Sequence, residues 1–186
     1  MGIAYRNIWS LSVDEAVVVG IIRNVLCKHK RIEVFMPMNA QLKDIDLIVI
    51  NLKNKKVTTI QVKGSKAHQP KSNEVKKRKG GSGWFFFKKN TITKATADYF
   101  IFLVYVFEEL SGKRRKSLEP HLITIPTEGL KKLCRQHHKI HGKSLNFYFW
   151  INPNEGKAEE WRDEPYSVSK YLDERGIKSL LKYINA

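Results

Sequence analysis

The alternation of apolar and polar residues along this chain predicts a mixture of helices and strands. Ser12 and Glu15 form a helix-start signal, and apolar residues recur at helical spacing after it, to about Lys28. We therefore predict a first helix near the beginning of the chain. Later segments predict strands over residues 31–36, 121–125 and 146–151, and a helix over residues 127–139.

Two short β-type runs, residues 46–51 and 57–63, are separated by the polar stretch 52–56. Asn54 lies in that stretch and tolerates a left-handed turn. The three segments together predict a β-hairpin, with Lys53 and Asn54 as its two-residue loop.

The register of this hairpin decides which side chains meet. A loop at Lys53 and Asn54 places Asp46 opposite Gln61, and Asp44 opposite Lys63. Because alternate residues of a strand share a face, an acid, an amide and an amine then converge on one patch of the sheet. We therefore expect this patch to carry the chemistry of the protein.

The longest apolar run, residues 99–107, lacks polar alternation. It predicts a central strand covered on both faces, and it is far shorter than the roughly 20 residues that span a membrane. Residues 64–83 are polar and end in a glycine-rich stretch, so we expect an exposed loop there. A second polar loop is expected over residues 111–120. The aromatic run at residues 84–87 is more typical of a core strand than of a surface that touches bases.

The predicted order of helix, strand, hairpin, strand, helix and strand is typical of an α/β or α+β sandwich around a mixed sheet. A length of 186 residues with 42% hydrophobic content suits a single domain with a buried core. We place the core at about residues 10–151 and interpret residues 152–186 as an acidic helical extension. Two cysteines give no disulfide framework, and no signal-peptide layout is present, so we expect a cytoplasmic protein without membrane attachment.

Positive charge is concentrated next to the predicted hairpin. The net charge is +16, and residues 51–94 contain thirteen lysines and arginines but one acid, Glu74. A nucleic acid is the expected partner, because neutralising its phosphates releases counterions and drives binding. The candidate DNA-binding residues are Ser65, Lys66, Lys76, Lys77, Arg78, Lys79, Lys88, Lys89, Lys94, Arg114 and Arg115.

The acid, amide and amine of the hairpin match the needs of phosphodiester hydrolysis. That reaction uses a cation that neutralises developing charge and activates water, with a base or a cationic group beside it. Mg²⁺ prefers oxygen ligands, which Asp46, Gln61 and the backbone carbonyl of Val62 can supply. Lys63 is expected to orient the water or to stabilise the transition state. We expect Mg²⁺ as the cofactor, with Mn²⁺ as an alternative.

Asp46, the apolar strand that follows it and the Gln61-x-Lys63 motif resemble the PD-(D/E)xK nuclease superfamily in its Asp…Gln-x-Lys variant. The similarity covers roughly residues 10–126. The resemblance implies a restriction-endonuclease-like α/β core, with a central mixed sheet flanked by helices in the order αβββαβ. It also implies a Mg²⁺-dependent endonuclease of the restriction, homing or junction-resolving type, acting on double-stranded DNA as a dimer or tetramer. This chain has Gln61 where a second acid is usual, and Asp44 competes with Asp46 as the metal ligand.

The resemblance further implies a metal ligand on the first helix. Glu15 falls on the helix face shared by Val19, Ile22 and Leu26. A carboxylate on an inward stripe needs a partner, which a metal ion provides. The alternative is a capping box with Ser12, in which Glu15 bonds to the backbone at the helix start.

Two other functions are compatible with the same residues. One is a non-catalytic nucleic-acid-binding module that keeps the sheet without the second acid. The other is an RNA-binding protein whose hairpin carries no chemistry. Cleavage separates the enzyme from the module, and competition between duplex DNA and structured RNA addresses the third function.

Overall fold

The computed structural model describes residues 13–26, 29, 31–37, 44–65, 79–109, 116–137 and 144–186. Its helices are α1 (Val13–Leu26), α2 (Lys89–Thr93), α3 (Thr127–His137) and α4 (Asp173–Asn185). Its strands are β1 (Ile32–Phe35), β2 (Leu47–Asn51), β3 (Val57–Ser65), β4 (Gly81–Lys88), β5 (Tyr99–Glu109), β6 (Lys116–Pro126), β7 (Ser144–Asn152), β8 (Lys157–Glu160) and β9 (Tyr166–Ser167). Two short 3₁₀ turns, Pro153–Glu155 and Ser169–Tyr171, complete the described elements.

A five-stranded mixed sheet forms the centre of the molecule. Its strand order is β1-β2-β3-β5-β6, and only the β3–β5 pair is parallel. α1 and α4 pack on one face of this sheet. The prediction of a mixed sheet flanked by helices is therefore confirmed at the level of the fold class. Within the described ranges, no helix is long and apolar enough to cross a membrane.

Strand β5 is buried on both faces, as its unbroken apolar run predicts. Phe100 and Phe102 belong to one hydrophobic core, and Ile101 and Leu103 belong to another on the opposite face. All four side chains are fully buried. A strand covered on both sides has no solvent-exposed face, which is why its sequence shows no polar alternation.

The core that contains Phe100 and Phe102 lies between the mixed sheet and a four-stranded antiparallel sheet with the order β4-β7-β8-β9. Aromatic rings fill it: Phe85 packs against Phe102 with 5.0 Å between ring centroids, and Phe149 packs against Phe102 at 4.9 Å. The molecule thus has three layers, with helices α1 and α4, the mixed sheet, and the antiparallel sheet. Ring pairs with this edge-to-face geometry add to the burial energy of the core.

The expectation of a loop at the glycine-rich stretch is wrong, because Gly81 and Gly83 are buried within β4. A Cβ atom at Gly83 would lie 2.9 Å from Val104 Cγ2, and one at Gly81 would lie 3.1 Å from Val106 Cγ1. The glycines are needed because β4 approaches β5 closely. Residues 116–120, the end of the expected second polar loop, instead begin strand β6, and the strand predicted over residues 121–125 is confirmed as the rest of it. Pro120 and Pro126 are tolerated because β6 is an edge strand of the mixed sheet.

The C-terminal segment is part of the core and not an extension of it. Ile177, Leu180 and Ile184 of α4 are buried in the same cluster as α1 and the mixed sheet. Asn54 Nδ2 also donates to the carbonyl of Ile184 at 3.1 Å, which ties the hairpin loop to the end of α4. Because acidic residues dominate the first part of this segment, its composition did not predict the buried apolar stripe of α4.

The hairpin loop is longer than two residues. Asn51 N donates to Lys56 O at 2.9 Å, so residues 52–55 form the loop. The left-handed residue is Lys55, with φ of 60°, and not Asn54. Asn54 Oδ1 instead accepts a hydrogen bond from Lys56 N at 3.0 Å, which stabilises the turn. The longer loop leaves the predicted pairing register unchanged.

We expect Gly83→Ala to destabilise the protein, because the added methyl group overpacks the contact between β4 and β5. The expected cost is about 1–3 kcal/mol in the free energy of unfolding, measured by urea denaturation. Gly20→Ala in α1 is the matched control, since nothing lies within 4 Å of its Cβ position. That change should stabilise the helix by roughly 0.5–1 kcal/mol. Equal effects at both positions would contradict the close approach of β4.

Candidate functional site

The predicted register of the β2–β3 hairpin is confirmed, since Leu47 pairs with Ile60 and Val49 pairs with Thr58. Asp46 immediately precedes β2 and contacts the backbone of β3. Its N–H donates to Ile60 O at 2.9 Å, and its Oδ2 accepts from Val62 N at 2.7 Å. Contacts with residues 60 and 62 hold Asp46 opposite Gln61, as the sequence predicts.

Gln61 is 2% exposed, and its two amide atoms have different surroundings. Nε2 donates to Asp44 Oδ1 at 3.4 Å. Oε1 is enclosed and has no hydrogen-bond partner among the described residues. The opposite amide orientation would bring two oxygens together, so the contact with Asp44 determines which atom is left over. An enclosed oxygen without a partner costs about 1–3 kcal/mol, which a bound ligand can offset.

Asp44 does not continue the strand pairing to Lys63. Its φ of 67° is left-handed, so the chain departs from extended geometry before β2 begins. Asp44 therefore contacts Gln61, while Asp46 is the acid held against the β3 backbone. Lys63 follows Gln61 by two residues on β3 and shares its face of the strand.

Glu15 of α1 interacts electrostatically with Asp46 and Lys63, the first and last residues of the predicted motif. Burial raises the pKa of its carboxyl above the ordinary range, and the carboxylates of Asp46 and Asp14 raise it further, whereas Lys63 opposes the shift. These interactions place Glu15, Asp46 and Lys63 in one electrostatic cluster. Adjacent acids that disfavour each other's charge are a common feature of cation-binding sites. Ser12, the partner in the alternative capping box, lies outside the described residues.

Asp14 also belongs to this cluster, although the sequence analysis did not single it out. A Cβ atom at Gly64 would overlap the Asp14 carboxylate, so a larger residue there would displace the Asp14 side chain. Tyr105 Oη donates to Asp14 Oδ1 at 3.4 Å. The available signal was its place beside Glu15 in the first turn of α1, where acids favour the helix dipole.

The residues present fit a weakly held divalent cation better than a closed metal site. Within the part of the chain that the structure describes, no group of three or more His, Cys, Asp and Glu side chains is arranged to hold a metal ion. The candidate donors are instead two carboxylates, Asp46 and Glu15, the free oxygen of Gln61 and the carbonyl of Val62. Mg²⁺ keeps several water ligands and needs few protein donors, so this oxygen set suits it.

The candidate DNA-binding residues divide into three groups. Lys79, Lys88, Lys89 and Lys94 are exposed and can reach phosphates. Ser65 is 8% exposed, and its Oγ accepts a hydrogen bond from Trp84 N at 2.8 Å. It therefore links β3 to β4, and its hydroxyl is not free to contact phosphate, contrary to the prediction. The remaining candidates lie outside the described residues: Lys66, Lys76, Lys77, Arg78, Arg114 and Arg115.

Comparisons with known proteins return nothing: no family model, no curated protein and no solved structure matches this chain.

Glu15→Gln should change the pH dependence of stability. Because the pKa of the Glu15 carboxyl is raised in the folded protein, the native state binds more protons than the unfolded state. Wild-type stability therefore falls as the pH rises from 4.5, the ordinary pKa of this carboxyl, through its folded pKa. Glu15→Gln lacks this fall, so the variant gains on the wild type as pH rises. Urea denaturation across that window measures the difference. Exposed Glu164→Gln is the control, and parallel curves for the wild type and Glu15→Gln would contradict the assignment.

Proposed function

We propose that the protein is a Mg²⁺-dependent endonuclease that hydrolyses phosphodiester bonds in double-stranded DNA on a restriction-endonuclease-like core. The observation that carries the proposal is Gln61 Oε1, which is enclosed and has no hydrogen-bond partner among the described residues, next to the acid that the β3 backbone holds. A bound cation would give this amide oxygen the partner that it lacks among the described residues. The basic surface nearby supplies the attraction for DNA.

Four groups would hold the ion: the carboxylates of Asp46 and Glu15, Gln61 Oε1 and the carbonyl of Val62. When bound, the ion neutralises charge on the phosphate and lowers the pKa of an attacking water. Its positive charge would also oppose the burial and the repulsion from Asp46 that raise the pKa of Glu15.

The other residues of the site have positioning and charge roles. The hydrogen bond from Gln61 to Asp44 aims the amide oxygen away from Asp44. Val62 N fixes one oxygen of Asp46, so the carboxylate cannot rotate freely. Lys63 places a cation on the face of β3 that carries Gln61, where it would stabilise charge on the phosphoryl oxygens as water attacks.

A non-catalytic DNA-binding module on the same fold is the second candidate. The observation in its favour is Gln61 itself, because a neutral amide replaces the second acid usual in the superfamily that the motif resembles. The two functions differ in the need for a metal ion. Binding by the lysines alone is sensitive to salt but indifferent to Mg²⁺ beyond its ionic strength, whereas cleavage requires the ion. Assembly as a dimer or tetramer, a cytoplasmic location and the biological role stay predictions.

Cleavage of plasmid and linear duplex DNA tests the enzyme directly. We expect cleavage that requires Mg²⁺, stops with chelator, and falls at least about 100-fold in Asp46→Asn and Lys63→Ala, because each loses a charge at the reacting phosphate. Exposed Glu164→Gln and Lys178→Ala make the same charge changes elsewhere and should keep full activity. Tight binding without cleavage of any DNA form would favour the module.

Thermal unfolding with and without Mg²⁺ tests the role of Gln61 independently of DNA. Gln61→Leu removes the buried unpaired oxygen, so we expect stability to rise by about 1 kcal/mol in chelator and the Mg²⁺-dependent increase in Tm to disappear. Thr58→Val is the matched control, because Thr58 Oγ1 on β3 is also buried and unpartnered among the described residues. Thr58→Val should stabilise the protein and keep the full Mg²⁺ response. A Mg²⁺ response that survives Gln61→Leu would exclude this amide as a ligand.

A further inference from the structure

Two aromatic side chains of β4 lie on the outer face of the antiparallel sheet. Alternation along β4 sends Phe85 and Phe87 into the core, whereas Trp84 is 37% exposed and Phe86 is 69% exposed. A single exposed apolar residue is ordinary on a protein surface. Two adjacent exposed aromatic residues forgo much more burial and are typical of a binding surface.

The exposed rings are ordered before any ligand binds. The ring centroids of Trp84 and Phe86 are 4.9 Å apart with 24° between the planes, and Tyr148 of β7 meets Trp84 edge-on at 6.3 Å. Trp84 shields one face of the Phe86 ring, so the exposure of Phe86 comes largely from its opposite face. A flat ring supported on one side and open on the other matches what a nucleobase needs for stacking.

Cations border this aromatic surface. The guanidinium of Arg162, an exposed residue, lies over the Trp84 ring at 5.9 Å from the centroid. Lys88 is two residues beyond Phe86 on the same strand and is also exposed. An apolar protein partner that covered Phe86 would desolvate these charges at a cost, whereas the phosphates of a stacked nucleotide would pair with them. Charge complementarity therefore favours a nucleic acid strand.

The aromatic surface is attached to the strand that carries the candidate site. Ser65 Oγ accepts a hydrogen bond from Trp84 N at 2.8 Å and donates one to Trp84 O at 3.2 Å. Both backbone groups of Trp84, on the edge strand β4, are therefore bonded to β3. Ser65 follows Lys63 by two residues of β3, a distance of about 7 Å along an extended chain. A DNA strand with a phosphate at Lys63 can therefore reach the exposed rings within a few nucleotides.

We propose that Trp84, Phe86, Tyr148 and Arg162 form a stacking surface for unpaired bases of the DNA substrate. The inference rests on the proposed nuclease function and narrows its substrate to DNA with unpaired bases beside the cut site, such as branched, flapped or partly single-stranded DNA. Bases of an intact duplex stack on each other and must be extruded at a cost before they can use a protein ring. A fully paired duplex gains little from this surface.

Binding measured in chelator tests the stacking surface separately from cleavage. We expect Phe86→Ala to weaken the binding of a labelled oligothymidylate, followed by fluorescence anisotropy, by about five-fold or more. Phe86→Leu should lose as much, because leucine is apolar but has no ring face. Phe86→Tyr keeps the ring and should bind like the wild type. A blunt duplex of equal length should bind all of these proteins alike. Tyr183→Ala, which removes an exposed aromatic residue from α4, should change neither DNA form.

Unchanged single-strand binding by Phe86→Ala, full binding by Phe86→Leu, or equal weakening on both DNA forms would each overturn the stacking surface. Mg²⁺-dependent cleavage that persists beside any of these results would leave the proposed nuclease standing. A wild-type protein that binds neither DNA form would overturn both proposals.

Discussion

The pairing of β2 with β3 is the constraint on which the candidate site depends. Leu47 and Ile60 form a cross-strand pair, and both side chains are buried against α1 and α4. Because side chains alternate along a strand, a slip of one residue would expose this apolar set and bury Gln61 and Lys63 against the helices. Burial of the apolar face thus fixes the chemistry of the other face. Asp46 extends the same arrangement one residue beyond β2 through its bonds to the β3 backbone.

The antiparallel sheet packs on the same side of the mixed sheet as Gln61 and Lys63. The core between the two sheets takes its buried residues from β5 and β6 in the mixed sheet, and none from β2 or β3 among the described residues. The approach of β4 over β5 requires Gly83, and its edge is closed by Ser65. This close contact places the aromatic rings of β4 next to the end of β3.

Three features of this region cost stability in the free protein. Gln61 Oε1 is enclosed without a described partner, Glu15 has a raised pKa among other acids, and Phe86 exposes most of its ring. Each is a local conflict between a side chain and its surroundings. Such conflicts are expected where a ligand completes the structure. Under the proposed function, a divalent cation would satisfy the first two and a stacked base the third, so one DNA complex would account for all of them.

The sequence by itself determined what depends on neighbours along the chain. Periodicity predicted α1, the hairpin register and the doubly buried β5, and the Asp46, Gln61 and Lys63 motif followed from that register. Tertiary structure decided what depends on distant residues. Gly83 lies in a strand because it pairs with Phe149 of β7, and Val104 leaves little room for a side chain there. α4 belongs to the core because it packs against α1 and the mixed sheet. Asp14 lies at the site because α1 approaches β3 at Gly64. Local sequence propensities do not predict these approaches, because a glycine-rich stretch or a pair of neighbouring acids can have the same sequence in a loop as in a closely packed strand or helix.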